Sequence, residues 1–356
     1  MHIGLVIYGS LDTMSGGYLY DRLLVTYLQK QGDSVDIISL PWRNYFSHLT
    51  DNLHFRLPHN LDLLIEDELN HPSLLAANAG PHPYPVLSLV HNLRSSEKRS
   101  AWKNAFYRVI ERQYLRSVDG FIFNSSTTRD AVYSLVEDDK PYVIATPGGD
   151  RLGSLRPEQV LARTAEPGPL KLLFLANVTP LKGLHVLLEA LDLVTSDFKL
   201  EVVGSLTVDS RYAQEMQGKV TARGLGSKIF FHGIQDGEGL AEKLRQSQLL
   251  VIPSFYEGFG ISYLEGMAFG LPAIGTTAGA IPQLISNADN GFLIQPGDST
   301  ALAKRIQEIA SDLETLARLS LGAFQSFQSH PTWAQSAETV RSFLLRNTGA
   351  PGSRSA

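Results

Sequence analysis

Two successive series of short apolar runs, each followed by a helix-length amphipathic segment, constrain this chain more than any other feature. Residues 3–7 read as a buried strand. Residues 17–30 then place Leu19, Leu23, Leu24, Tyr27 and Leu28 on one helical face, Gly32 closes the helix, and 34–40 read as the next strand. A crossover of that length requires parallel pairing. Further strands are expected at 61–65, 86–90, 120–123 and 141–145. From 151 to 169 the periodicity lapses into Gly, Pro, Glu and Arg, which reads as a linker holding one short helix. A second series starts at 171–176 and continues near 199–203, 228–232, 249–252, 273–275 and 291–294. The expectation is an α/β chain with two doubly wound, Rossmann-like parallel-sheet domains facing across a cleft. They cover 1–150 and 170–330. A helix at 331–346 is expected to return to the first domain, and 347–356 to be a disordered tail. Ligands of such sheets bind beyond the carboxyl ends of the strands, so residues just after each strand are the candidates.

Composition excludes several functions. The formal net charge is -5, which gives no global attraction to nucleic acid. There are no cysteines, hence no disulfide, thiolate zinc site or cysteine nucleophile. No run reaches the ~20 apolar residues needed to span a bilayer. The expected location is cytoplasmic.

The densest chemical signal is Pro253-Ser254-Phe255-Tyr256-Glu257-Gly258-Phe259-Gly260-Ile261-Ser262-Tyr263-Leu264-Glu265, between a buried strand and a helix. Gly258 and Gly260 allow a ligand close to the backbone. The amides of Ile261 and Ser262 open a helix whose dipole favours a diphosphate. Glu265, one turn further on, suits paired sugar hydroxyls. An acidic residue in a first turn is also ordinary capping, so both readings stand at this point. The segment resembles the Glu-x7-Glu motif of the retaining glycosyltransferases of family 4, with Glu257 and Glu265 as the two glutamates. The stretches 268–273 and 291–293 are similar to two further family motifs. The resemblance implies a GT-B fold, contact of Glu257 with the donor sugar and of Glu265 with the nucleotide ribose, and diphosphate contacts from Gly258, Phe259, Gly260, Ile261 and Ser262.

Four other places carry candidates. Lys182, at a strand-to-helix turn, matches the family's diphosphate-binding lysine; Asn177 stands where the family has an arginine, and Gln283 where it has a glutamate. Gly16 and Gly17 resemble the glycine loop that lies against the donor phosphates. His91, at the end of a buried strand, resembles a histidine that faces the transferred sugar and the acceptor. Asn124 and Ser125, also at a strand end, are acceptor-side candidates, and Gly148-Gly149-Asp150 resembles a motif near the interdomain hinge. His91, Lys182 and Glu257 are therefore the expected catalytic set. Glu66-Asp67-Glu68 invites a metal reading, but consecutive residues do not face one way, and no metal is expected to be required.

Residues 94–116 hold seven basic side chains: Arg94, Lys98, Arg99, Lys103, Arg108, Arg112 and Arg116. The simpler reading packs Trp102, Phe106, Val109 and Ile110 into the core beneath a solvated basic face. The other makes the stretch a peripheral contact with anionic membrane, at its inner face, or a clamp for an anionic acceptor. The expected activity is transfer of a hexose from a nucleoside-diphosphate sugar (UDP first, GDP second) to a hydroxyl of a small-molecule, glycan or lipid acceptor, with no other cofactor. A catalytically impaired nucleotide-sugar-binding protein and a nicotinamide-dependent oxidoreductase are the alternatives; no dinucleotide glycine fingerprint follows strand one.

Overall fold

The computed structural model describes residues 1–97, 99–137 and 139–348. Lys98 and residues 349–356, the end of the expected tail, lie outside them. The chain divides into two compact units: Met1–Pro147 together with the segment from Pro331, and Gly148–His330. The first contains β1 (His2–Tyr8), α1 (Gly16–Lys30), β2 (Ser34–Leu40), α2 (Tyr45–His48), β3 (Leu63–Asp67), α3 (His71–Leu74), β4 (Val86–Val90), α4 (Ala101–Ser117), β5 (Gly120–Phe123), α5 (Ser126–Tyr133) and β6 (Tyr142–Ile144). The second contains α6 (Pro157–Thr164), β7 (Leu170–Leu175), α7 (Leu184–Leu191), β8 (Phe198–Val203), α8 (Ser210–Ala222), β9 (Ile229–Gly233), α9 (Gly237–Gln246), β10 (Leu249–Val251), α10 (Ile261–Ala268), β11 (Ala273–Thr276), β12 (Gly291–Ile294), α11 (Ser299–Ser311) and α12 (Leu313–Ser329). The last helix, α13 (Trp333–Asn347), belongs to the first unit.

Each unit is built on a six-stranded sheet, ordered β2-β1-β3-β4-β5-β6 in the first and β12-β11-β10-β7-β8-β9 in the second. Every strand pairing is parallel. The central strands are buried on both faces, which is why their sequences run as unbroken apolar stretches rather than alternating.

Three differences from the sequence reading matter for function. First, β3 extends through Glu66 and Asp67, where strand propensity argues against it. Its ladder pairs Glu66 with Ser88 and Asp67 with Leu89, so two carboxylates lie within the sheet, both buried. Second, the stretch 151–169 is an integral part of the second unit. Arg163 of α6 is buried and donates 2.8 Å hydrogen bonds to the carbonyls of Phe269 and Gly270. Third, α4 packs inward through Tyr107, Glu111, Tyr114 and Leu115, whereas Trp102 and Val109 of the expected core stripe are 67% and 65% exposed.

Candidate functional site

In the second unit the signal segment leaves β10 and enters α10. Gly260, at φ +103, forms the helix N-cap and has no side chain with which to cap the first-turn amides of α10. The loop is held rigidly. A Cβ on Gly279 would lie 2.0 Å from the carbonyl oxygen of Glu257, and the amide of Ala280 donates to that same oxygen at 2.9 Å. Phe259 is buried in the core, so only its backbone is available to a ligand. Gly258 and Ser262 are half-buried beside it.

Glu257 does not point into empty space. Lys182 Nζ donates to both of its carboxylate oxygens, at 2.7 and 2.8 Å, and the Ser254 hydroxyl donates to Oε1 at 2.7 Å. Lys182 ends the turn before α7, and Gly183 behind it, at φ +74, passes so close to the Pro253 carbonyl that a Cβ would sit 2.2 Å away. Two loops 75 residues apart are thereby locked together at the carboxyl ends of β7 and β10. Glu265, one turn into α10, is buried, and Arg151 Nε donates to it at 2.5 Å. Burial nevertheless raises its pKa above the ordinary carboxylate value, against the pull of Arg151. The sequence reading missed Arg151, because it treated that stretch as linker. Asn177 accepts from the Ser205 amide at 3.1 Å, so its side-chain oxygen braces the loops after β7 and β8. Gln283 is exposed in a short 3-10 turn.

In the first unit, Ser15 caps α1 by accepting from the Tyr18 amide. Gly17 follows, where a Cβ would lie 3.1 Å from the His91 ring, so a larger residue would displace that ring. His91 Nε2 is 2.9 Å from Oδ1 of Asp21, a buried residue of α1. Burial opposes a charge on His91, but Asp21, together with Asp67 and Glu68, outweighs it and lifts its pKa above the histidine value. Burial, reinforced by Asp21, pushes Asp67 up to about 7, and burial pushes Glu68 up to about 8 against Arg94 and His91. These groups surround a cavity of about 160 Å³ whose lining includes Gly17, Asp67, Glu68, His71, His91 and Arg94. Asn124 donates to the His91 carbonyl at 2.9 Å and accepts from Thr128; Ser125 caps α5. Both serve the joint between β4, β5 and α5.

The sequence reading set Glu66-Asp67-Glu68 aside as a metal site, yet among the described residues the fold brings together two sets of three side chains able to meet one cation: Asp21, Asp67 and His91, and Glu68, His71 and Glu111, each within 4.8 Å. Hydrogen bonds already engage their histidines. His91 Nε2 faces Asp21, and His71 has Tyr45 on one ring nitrogen and Glu68 on the other.

Residues 158–325 match the family model described as glycosyl transferases group 1. A solved structure of sucrose-phosphate synthase from Thermosynechococcus elongatus superposes with a TM-score of 0.83 over 97% of this chain and 98% of its own, at 19% identity. The fold is GT-B. Anabaena HepE in complex with UDP and glucose shares it, with a TM-score of 0.75 over 96% of this chain and 99% of that one, at 18% identity. Among curated sequences, the D-inositol 3-phosphate glycosyltransferase of Streptomyces avermitilis is 29% identical over 230 residues, 61% of this chain. The N-acetyl-alpha-D-glucosaminyl L-malate synthase of Bacillus anthracis is 35% identical over 124 residues, 34% of this chain. The match spans 50% of the length of the first relative and 32% of the second. This GT-B chain contains no helix, among the described residues, long and apolar enough to cross a membrane.

Proposed function

We propose that this chain is a retaining hexosyltransferase that takes its sugar from a nucleoside diphosphate donor, UDP-linked by preference, and passes it to a hydroxyl acceptor. One observation carries the reading: the Lys182–Glu257 pair ties the turn before α7 to the loop that leads into the uncapped N-terminus of α10. A cation and a row of helix amides are the chemistry a departing diphosphate needs, and they are preorganised before it arrives. Glu257 would then meet the sugar hydroxyls, and Glu265, held by Arg151, the ribose. In the first unit the cavity beside His91 takes the acceptor. The acceptor hydroxyl attacks the anomeric carbon on the face the diphosphate leaves, the carbon–oxygen bond to the diphosphate breaks, and the acceptor proton passes to a phosphate oxygen of the donor. The complexes of HepE with UDP and glucose support the choice of UDP.

The test is a thermal-shift screen of uridine, guanosine and adenosine diphosphates, followed by donor turnover with the product anomer read by NMR. At a hundredfold excess over Kd, a ligand of the native state stabilises by ~2.7 kcal/mol. Inversion at the anomeric carbon, or no response to any of the three, defeats the reading. The engagement of Asn177 with Ser205 favours one second reading, a nucleotide-sugar-binding protein without transfer. Binding of UDP-sugar without any donor hydrolysis would select it.

A further inference from the structure

The helix α4 leaves an apolar stripe in water. Its buried face is Tyr107, Glu111, Tyr114 and Leu115. At 3.6 residues per turn, Trp102, Phe106 and Val109 fall within about 60° of one another on the opposite side. Trp102 and Val109 are largely exposed, and Phe106 is half-buried. Phe46 of α2, 64% exposed, extends the stripe, with its ring 5.8 Å from that of Phe106. Phe106 also packs on Tyr45 and Tyr107, but the exposure of Trp102, Val109 and Phe46 around it forms an apolar patch that packing within the fold does not account for.

The charges that α4 exposes are all of one sign. Lys103 flanks the stripe on one side, Arg108 and Arg112 on the other, and Arg116 continues it by one more turn; all four are exposed. None of them is ion-paired to a carboxylate among the described residues. The one acidic residue of α4, Glu111, is turned inward and accepts from the Ser95 amide. Lys103 Nζ lies over the Trp102 ring at 5.5 Å, an ammonium and an indole at the same level. Aromatic rings with a basic rim are the pattern of a helix that lies in the headgroup layer, rings toward the acyl chains and cations at the phosphates. The charge is local, since the whole chain carries -5.

We propose that this face of α4, with Phe46 beside it, docks the protein on an anionic lipid bilayer. The inference goes beyond the transfer reaction and does not depend on it. Nothing in it requires a membrane span; the contact is peripheral.

The experiment is co-sedimentation of the full chain with phosphatidylcholine vesicles, with and without phosphatidylglycerol. Wild type is expected to pellet with the anionic vesicles at low salt, to be released as salt rises, and to ignore pure phosphatidylcholine. Each basic side chain near the surface contributes roughly fivefold in partitioning. Lys103→Gln/Arg108→Gln/Arg112→Gln should therefore bind about a hundredfold more weakly, by the same rule. Trp102→Ser should weaken binding without abolishing its salt dependence. Unchanged circular dichroism and melting temperature show that the variants are folded. Were one to unfold, the lipid and salt dependence of wild type would decide alone. Failure of wild type to pellet at low salt, equal pelleting with neutral vesicles, or full retention by the triple variant overturns the proposal. So does a concentration-dependent dimer that Trp102→Ser abolishes, because the stripe would then be a contact between copies. None of these readouts requires turnover, so the outcome is separable from that of the donor assays.

Discussion

Lys182 is the residue whose removal discriminates best between a phosphate site and an ordinary surface ion pair. An ammonium has three donors. Glu257 takes two of them, at 2.7 and 2.8 Å, which leaves one for a phosphate oxygen unless the pair opens. A charge-assisted hydrogen bond to phosphate contributes about 1.5–3 kcal/mol. Lys182→Ala should therefore weaken UDP binding by roughly 10- to 150-fold at 1.4 kcal/mol per decade, and leave uridine almost unchanged. Glu257→Gln should act in the opposite sense on binding. Glutamine offers one acceptor oxygen where the carboxylate offered two, so a donor of Lys182 is released and a repulsive charge beside the diphosphate is removed. UDP should bind at least as tightly as to wild type while turnover collapses. Isothermal titration with UDP and with uridine, on wild type and both variants, reads all of this directly. Equal losses for UDP and uridine in Lys182→Ala would show that the substitution damaged the loop. Weakened UDP binding in Glu257→Gln would refute the competition between Glu257 and phosphate for one ammonium.

Glu66→Gln should flatten the pH dependence of stability. Burial holds the folded pKa of Glu66 at about 7, above the ordinary carboxylate value of 4.5, so the folded state keeps a proton the unfolded state loses, and stability falls as pH rises through that window. The loss is about 3 kcal/mol for one such group. Urea midpoints at acid and mildly alkaline pH measure it; an unchanged slope would mean that Glu66 is solvated. Gly17→Ala, by pushing the His91 ring, should lower kcat while UDP affinity, which the proposed function assigns to the second unit, stays put; kinetics unchanged in both respects would detach Gly17 from the site. Arg151→Met leaves Glu265 buried without its cation and should cost roughly 3 kcal/mol in urea unfolding, together with affinity for uridine. Turnover is expected to survive EDTA; its loss, with recovery on adding manganese or magnesium, would point to one of the two carboxylate–histidine clusters.

The strand–loop–helix junction at residues 253–265 was legible because its signal is local. A strand, a glycine loop and a helix start within thirteen residues fix where Glu257, Ser262 and Glu265 must lie, and spacing on α10 does the rest. The partners of those glutamates were less accessible. Arg151 sits in a stretch without periodicity, and only the contacts of its short 3-10 turn (Asp150–Leu152) with α9 and α10, and of α6 with α12, bring that stretch into the second unit. Asp21 could have been found. It begins the series Asp21, Leu24, Val25, Leu28 at buried helical spacing, and an acid in such a stripe requires a buried partner, here His91. The reading of α4 failed for a different reason. That helix carries two apolar stripes, one led by Tyr107 and Tyr114 and one by Trp102, and periodicity cannot say which of two stripes meets the sheet. β3 ran further than expected because parallel pairing with β1 and β4 overrode the poor strand propensity of Glu66 and Asp67.

The chain leaves the first unit after Pro147 and returns to it only at Pro331. In chain order the second unit is therefore complete before α13, the last element of the first, is added. That helix is no ornament: Trp333 stacks edge-on against Tyr20 at 5.8 Å, Tyr27 donates to Glu338 at 2.7 Å, and Arg341 donates to Asp33 at 2.7 Å. The first unit is thus the last to be completed although its first residues are the first made. A chain ending near residue 330 would carry the whole of the second unit but a first unit without α13, with the apolar face of α1 still waiting for its cover.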